Sequence, residues 1–154
     1  MNISDENIRD GLFDAIWHAR FEVIGENPTF IFDGGHNPEG VVAAVESVKE
    51  YLPDEKICVI TGVMADKDYE YIADRISEIA YKVYTVTPNN PRALDAKAYA
   101  EVYSARGIDA EGYENLELAV YDALAYAREN KKTVLSLGSL YMYCEVIEAI
   151  GKQN

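Results

Sequence analysis

Residues 57–61 read Ile57-Cys58-Val59-Ile60-Thr61, and residues 134–137 read Val134-Leu135-Ser136-Leu137. Both runs are short and nearly continuous in apolar character. A strand with one wet face alternates apolar and polar side chains, whereas a strand covered on both faces has no reason to alternate. The two runs therefore predict strands of a sheet packed between two layers of helices.

The flanking sequence agrees. These strands extend over Lys56–Thr61 and Thr133–Leu137; further β-rich runs lie at Arg20–Gly25, Thr29–Phe32 and Lys82–Thr87, with a weaker one at Ile108–Tyr113. Between them apolar residues recur at the i, i+3, i+4, i+7 spacing of an amphipathic helix. Val41, Ala44, Val45, Val48 and Leu52 form one stripe, Ile72, Ala73, Ile76 and Ala80 a second, and Leu116, Ala119, Val120, Ala123, Leu124 and Ala127 a third. Ala98, Val102 and Ala105 make a thinner stripe closed by Gly107, and Leu140, Cys144 and Ile147 a last one. Strands alternating with single helices need crossover connections, hence a mostly parallel sheet. The turn at Glu26-Asn27-Pro28 is too short for a crossover, so the first two strands are antiparallel neighbours. The predicted fold is α/β: a doubly wound, Rossmann-like, mostly parallel sheet of about six strands, one of them antiparallel, with helices on both faces. Ile8, Leu12 and Ile16 form a helical stripe ahead of the first strand, which either packs on this domain or is the tail of a neighbouring one.

Composition narrows the function. The chain has 154 residues, of which 49% are hydrophobic, enough for one domain with its own core. Fourteen basic against 27 acidic residues leave a formal charge of −13, which repels phosphate backbones and anionic lipid and argues against nucleic-acid and membrane-surface binding. No apolar run reaches the roughly 18 residues of a membrane span, and the acidic start MNISDENIRDG is neither a signal nor a transit peptide. Cys58 and Cys144 stand far apart and read as small apolar side chains of a reduced, cytoplasmic protein. Most of the 12 tyrosines fall in helices, where a half-buried ring with a wet hydroxyl is expected.

Ligands of open parallel sheets bind at the carboxyl ends of the strands, and four such ends are unusual. Asp33-Gly34-Gly35-His36-Asn37-Pro38 combines a tight turn with an N-cap Asn and a first-turn Pro. Asp33 is an acceptor only and suits hydroxyls, an ammonium or a metal. In Thr61-Gly62-Val63-Met64-Ala65-Asp66-Lys67-Asp68, Asp68 caps the next helix; Asp66 and Lys67 are either a solvated charge pair or a recognition pair for a zwitterion. Thr87-Pro88-Asn89-Asn90-Pro91-Arg92 is a polar loop in which Arg92 is a possible anion contact. Gly138-Ser139-Leu140-Tyr141 offers an N-cap serine at a helix start able to bind a carboxylate. The sequence holds no GxxxxGK[ST] loop, no GxGxxG after the first strand and no GxSxG elbow. With two histidines, His18 and His36, and no cysteine cluster, no metal site is expected.

Taken together, DGGHNPEG, TGVMADKD, TPNNPRALDA and LGSLYMYCEVI resemble the C-terminal domain of folylpolyglutamate and bifunctional dihydrofolate synthases, members of the Mur ligase family of ATP-dependent amide ligases. The resemblance runs from about Gly11 to Ile150. GLFDAIWHARFEVI is similar to the family's linker around Trp-Pro-Gly-Arg-Phe-Glu, except that His18-Ala19 replaces Pro-Gly; Gly35 stands where Ala is common, a change of one small residue for another.

The resemblance implies an enzyme that transfers the γ-phosphoryl group of ATP to a folate-side carboxylate; the amine of L-glutamate then displaces phosphate from the acyl phosphate. ATP and Mg²⁺ are then held mainly by a central domain that carries the phosphate loop, so this chain alone is expected to be inactive. Residues 1–19 become a helix and linker from that central domain and residues 20–154 the C-terminal domain. Arg20, Asp33, His36 and Asn37 are the implied nucleotide-side residues, with Asp33 on the ribose hydroxyls and His36 also at the reaction. Asp66, Lys67 and Ser139 are the implied glutamate pocket, and Arg92 a further anion contact. The partners are L-glutamate, ATP and a folate. A stand-alone module that binds a nucleotide or a protein without catalysis is the alternative; a metal-dependent phosphoesterase at Asp33, His36 and Asn37 lacks the necessary further ligands.

Overall fold

The computed structural model describes Ser4 and residues 18–153, and the stripe at Ile8, Leu12 and Ile16 lies outside the described residues. The strands are β1 (Glu22–Glu26), β2 (Thr29–Asp33), β3 (Ile57–Thr61), β4 (Ala80–Val86), β5 (Asp109–Tyr113) and β6 (Val134–Leu137). They form one sheet in the order β1-β2-β6-β3-β4-β5. β1 runs antiparallel to β2, with a register shift between Val23 and Gly25, and the other pairings are parallel. The expected doubly wound architecture with one antiparallel strand is what the chain adopts.

The helices are α1 (Pro38–Tyr51), α2 (Tyr69–Ser77), α3 (Ala96–Ser104), α4 (Leu116–Asn130) and α5 (Tyr143–Gly151), with a 3-10 turn at Leu140–Met142 before α5. Alternate residues of each buried strand feed opposite cores. Ile57 and Val59 pack with Val45, Ile72 and Tyr99 of α1, α2 and α3, while Cys58 and Ile60 pack with Val120 and Val146 of α4 and α5. Helix starts are capped by side chains: Asn37 accepts from the Gly40 amide with Pro38 in the first turn, Asp68 from Tyr71, Asp95 from Ala98 and Asn115 from Glu117.

This winding creates the crevice. Connections β2–α1–β3, β3–α2–β4 and β4–α3–β5 all pass over one face. The return through α4 covers the other face and inserts β6 between β2 and β3. At the carboxyl end of β6 the chain leaves toward α5, whereas its two neighbours leave toward α1 and α2. The strand ends part there, as ligand crevices of such sheets do.

Four local expectations are corrected. Ala80 opens β4, pairing with Ile57 rather than ending α2, because α2 stops at Ser77. In α5 the buried residues are Val146 and Ala149, with Met142 just before the helix, while Leu140, Cys144 and Ile147 are exposed; the 3-10 turn shifts the helical phase. In α3 the buried face is Ala96, Tyr99, Ala100 and Tyr103, not Ala98, Val102 and Ala105. Tyr99 and Tyr103 are therefore core residues, and Tyr103 donates its hydroxyl proton to the Tyr99 hydroxyl at 3.0 Å. Burial pushes the Tyr99 hydroxyl up to about 12 and that of Tyr103 well above its usual range, so both stay neutral.

Candidate functional site

At the end of β2 the side chains are tied into the backbone. Asp33 is 8% exposed. Its Oδ2 accepts from the Phe21 amide at 2.9 Å and its Oδ1 from the Gly35 amide at 2.7 Å, so one carboxylate joins the segment before β1 to the turn after β2. The Gly34 amide donates to the Ala19 carbonyl at 2.9 Å. Arg20 Nη1 donates to that same carbonyl at 3.1 Å and lies 2.9 Å from where a Cβ on Gly34 would sit. Its guanidinium thus lies over the turn, with no carboxylate partner among the described residues.

Gly34 owes its identity to this packing, since its Cβ would fall 2.1 Å from Leu140 Cδ2. A Cβ on Gly35 would stand 2.9 Å from the Gly40 backbone; glycine and alanine are not interchangeable at 35 in this chain, contrary to the sequence-based expectation. Asn37 is exposed and engaged as the α1 cap. Exposed His36 bonds through Nδ1 to the Gly34 carbonyl at 3.1 Å. A carbonyl only accepts, so Nδ1 carries the proton and Nε2 of the neutral ring is a free acceptor.

The ends of β3 and β6 build the cavity itself. Gly138 has φ +119, and a Cβ there would stand 2.8 Å from the Gly62 carbonyl oxygen. Only glycine lets these two strand ends approach so closely. Around them lies a cavity of about 270 Å³ lined by His36, Met64, Lys67, Arg92, Gly138, Ser139, Leu140 and Tyr141. Four of the predicted site residues, from four different strand ends, therefore meet. Ser139 is 3% exposed and caps the 3-10 turn, accepting from the Tyr141 amide at 3.2 Å. Half-buried Lys67 has no side-chain partner among the described residues. Asp66 pairs with Arg92 at 2.9 Å rather than with its neighbour Lys67; this bridge is solvent-exposed and contributes little stability.

A larger cavity of about 590 Å³ opens beside it at the ends of β4 and β5, lined by Thr87–Pro91, Glu114, Asn115 and Glu145 among others. It contains none of the cationic side chains, so size alone does not pick the site; convergence of His36, Lys67, Arg92 and Ser139 does. Among the described residues no three metal-ligating side chains come together, and no helix is long and apolar enough to cross a membrane. Burial pushes the Cys58 thiol up to about 11, leaving it unreactive.

Sequence reasoning missed Met64, Leu140 and Tyr141 as walls of the cavity, and it gave Glu22 no role. Glu22 accepts from the Ala19 amide at 2.7 Å, from the Tyr143 hydroxyl at 2.9 Å and contacts His18 Nδ1 at 3.0 Å. The Ala19 amide first, then His18 and Tyr143, hold its carboxyl below the usual carboxylate range against the opposing effect of burial. The available signal was its place in the Arg20-Phe21-Glu22 match to the family linker.

The comparisons with known proteins fit this geometry. Residues 19–140 match the family described as Mur ligase, glutamate ligase domain. The chain is 33% identical over 151 residues to the folylpolyglutamate synthase of Lacticaseibacillus casei, covering 96% of this chain and 33% of that protein. It is similar in structure to the ligand-free bifunctional folylpolyglutamate synthase/dihydrofolate synthase of Yersinia pestis, with TM-score 0.85 and 28% identity over 98% of this chain and 36% of that one. A second structure of the Yersinia pestis protein, complexed with AMPPNP and a Mn ion, has TM-score 0.81 and 26% identity, covering 98% of this chain and 35% of that chain. The chain spans about a third of the length of these relatives.

Proposed function

Because the chain belongs to the Mur ligase glutamate ligase domain family, we propose that it serves an ATP-dependent ligase that joins L-glutamate to folate or dihydropteroate, receiving the amino acid and closing over the nucleotide. The observation that carries this reading is the cavity at the β3 and β6 ends, where Lys67, Ser139, Arg92 and His36 converge. An amino acid with two carboxylates needs cationic and hydroxyl donors held apart on rigid strand ends. Lys67 and Ser139 take one carboxylate of glutamate, and Arg92 is placed for the other. Asp66 keeps Oδ1 open for the ammonium while Oδ2 holds Arg92. His36 Nε2, an acceptor in the neutral ring, takes the proton the amine loses on forming the amide.

On the other side of His36, Arg20 meets the phosphates from above Gly34, and Asp33 reaches the ribose hydroxyls with the lone pairs its two backbone bonds leave free. Mg²⁺, when bound, neutralises charge on the phosphates and is held by a further domain. That domain also brings the phosphate loop, a sequence these 154 residues do not contain. In this reading residues 1–19 link the two domains.

Steady-state kinetics of the ligase with this domain joined to its ATPase domain test the reading. Removing one charge-assisted hydrogen bond costs about 1.5–3 kcal/mol, so Lys67→Ala and Ser139→Ala raise the glutamate KM roughly ten-fold or more while the ATP KM stays unchanged. Their double variant loses less than the sum, because both groups hold one ligand. Unaltered glutamate saturation in both single variants would overturn it.

A further inference from the structure

Arg20 is flanked by two residues in the left-handed region: Ala19 has φ 59 and Phe21 has φ 43. For residues with a Cβ, and for a bulky one above all, that conformation is unfavourable. It persists only where the surroundings over-determine it, and such outliers gather at functional sites. The surroundings here are specific. The Ala19 amide is held by Glu22 Oε2 at 2.7 Å, its carbonyl by the Gly34 amide at 2.9 Å, and the Phe21 amide by Asp33 Oδ2 at 2.9 Å. Glu22 is itself fixed from α5 by the Tyr143 hydroxyl at 2.9 Å. The Tyr143 ring stands edge-on to Phe32 of β2, with centroids 4.9 Å apart, which aims that hydroxyl.

We infer that Glu22 and Tyr143 are positioning residues, which hold Ala19 in a left-handed form on one side of Arg20, as Asp33 holds Phe21 on the other, so that the Arg20 guanidinium lies over Gly34. The alternative is that they merely stabilise a turn. The two differ in what happens to Arg20: without Glu22 and Tyr143 the Ala19 backbone relaxes toward the ordinary right-handed or extended regions, and that change of φ next to Arg20 swings its side chain away from the turn. The consequence for ATP rests on the proposed role of Arg20; the positioning itself does not.

Nuclear magnetic resonance on the 154-residue chain tests the positioning. The wild type shows a nuclear Overhauser contact between the Arg20 side chain and Gly34 Hα, and a backbone order parameter at residue 20 near the rigid value of about 0.85. In Glu22→Ala the contact disappears and the order parameter falls below about 0.6, with the β3 and β6 amide spectrum unchanged. Tyr143→Phe weakens the contact, and Glu22→Gln, which keeps an acceptor for the Ala19 amide, restores most of it. Should Glu22→Ala fail to fold, Tyr143→Phe decides. An intact Arg20–Gly34 contact in a folded Glu22→Ala or, failing that, in Tyr143→Phe would overturn the inference. In the ligase joined to its ATPase domain, Glu22→Ala raises the ATP KM about ten-fold, and adding it to Arg20→Ala causes no further loss. Loss of the contact with an unchanged ATP KM would uphold the positioning and overturn instead the phosphate role of Arg20.

Discussion

The turn after β2 and the cavity after β3 and β6 lie side by side on one sheet edge, yet they are built in opposite ways. At the β2 end the polar groups are structural members: both Asp33 oxygens and the Asn37 side chain are already bonded to backbone amides. In the cavity the Lys67 side chain has no partner among the described residues, and the Arg92 side chain makes one exposed ion pair, with Asp66. One half spends its side chains on holding shape; the other leaves Lys67 unpaired and Arg92 in a weak exposed pair, because a glycine contact, Gly62 against Gly138, holds shape for it. Function and stability should therefore be inseparable at the first and separable at the second.

Unfolding measurements put that contrast at risk. Asp33→Ala leaves the Phe21 and Gly35 amides without their acceptor, and is expected to cost about 3 kcal/mol or more in urea unfolding. A loss under 1 kcal/mol would show that the β2 turn is not held as described. Ser139→Ala sharpens the comparison from within the cavity, since this residue is both a cap and a wall; it should cost about 1 kcal/mol, placing it between the two halves.

Acid gives a third handle. Glu22 has its carboxyl lowered in the folded state from a reference of 4.5, so its contribution is complete above 4.5 and is lost as the pH falls through the lower folded value. Between pH 5 and about 3 the wild type should lose more stability than Glu22→Gln; parallel pH profiles would remove Glu22 from the structural half. The smallest effect belongs to Lys67→Ala, expected within about 0.5 kcal/mol of wild type. A larger loss would break the contrast at the cavity.

Much of the architecture was legible because burial on both faces leaves a plain mark, as in Ile57–Thr61. The strand order was not, because the insertion of β6 between β2 and β3 is a long-range choice that no local pattern encodes. Tyr99 and Tyr103 misled for a chemical reason: a tyrosine reads as amphipathic until a second hydroxyl satisfies the first in the core. Asp66 misled by adjacency, since neighbours in sequence diverge at a turn and Arg92 arrives from another strand end. The four motif-bearing strand ends were visible from their residue types, but the clamp on Arg20 was hidden. The partners of these backbone groups are remote, Asp33 for Phe21 and, through Glu22, Tyr143 for Ala19, and Ala19 occupies a left-handed position where the resembled linker motif has glycine.

The sheet stops at β1 and β5, and among the described residues no strand pairs with their outer sides. Unpaired strand edges are templates on which a second copy can add, the first step of edge-to-edge polymerisation. Here one edge is bulged between Val23 and Gly25 and bracketed by Glu22 and Glu26, and the other carries Asp109 and Glu111. A copy arriving at either edge brings carboxylates against carboxylates, each on a chain of charge −13. The acidity of the chain thus guards the margins of the sheet. That guard weakens where protons neutralise the carboxylates or where salt shortens the reach of charge to about 3 Å at 1 M.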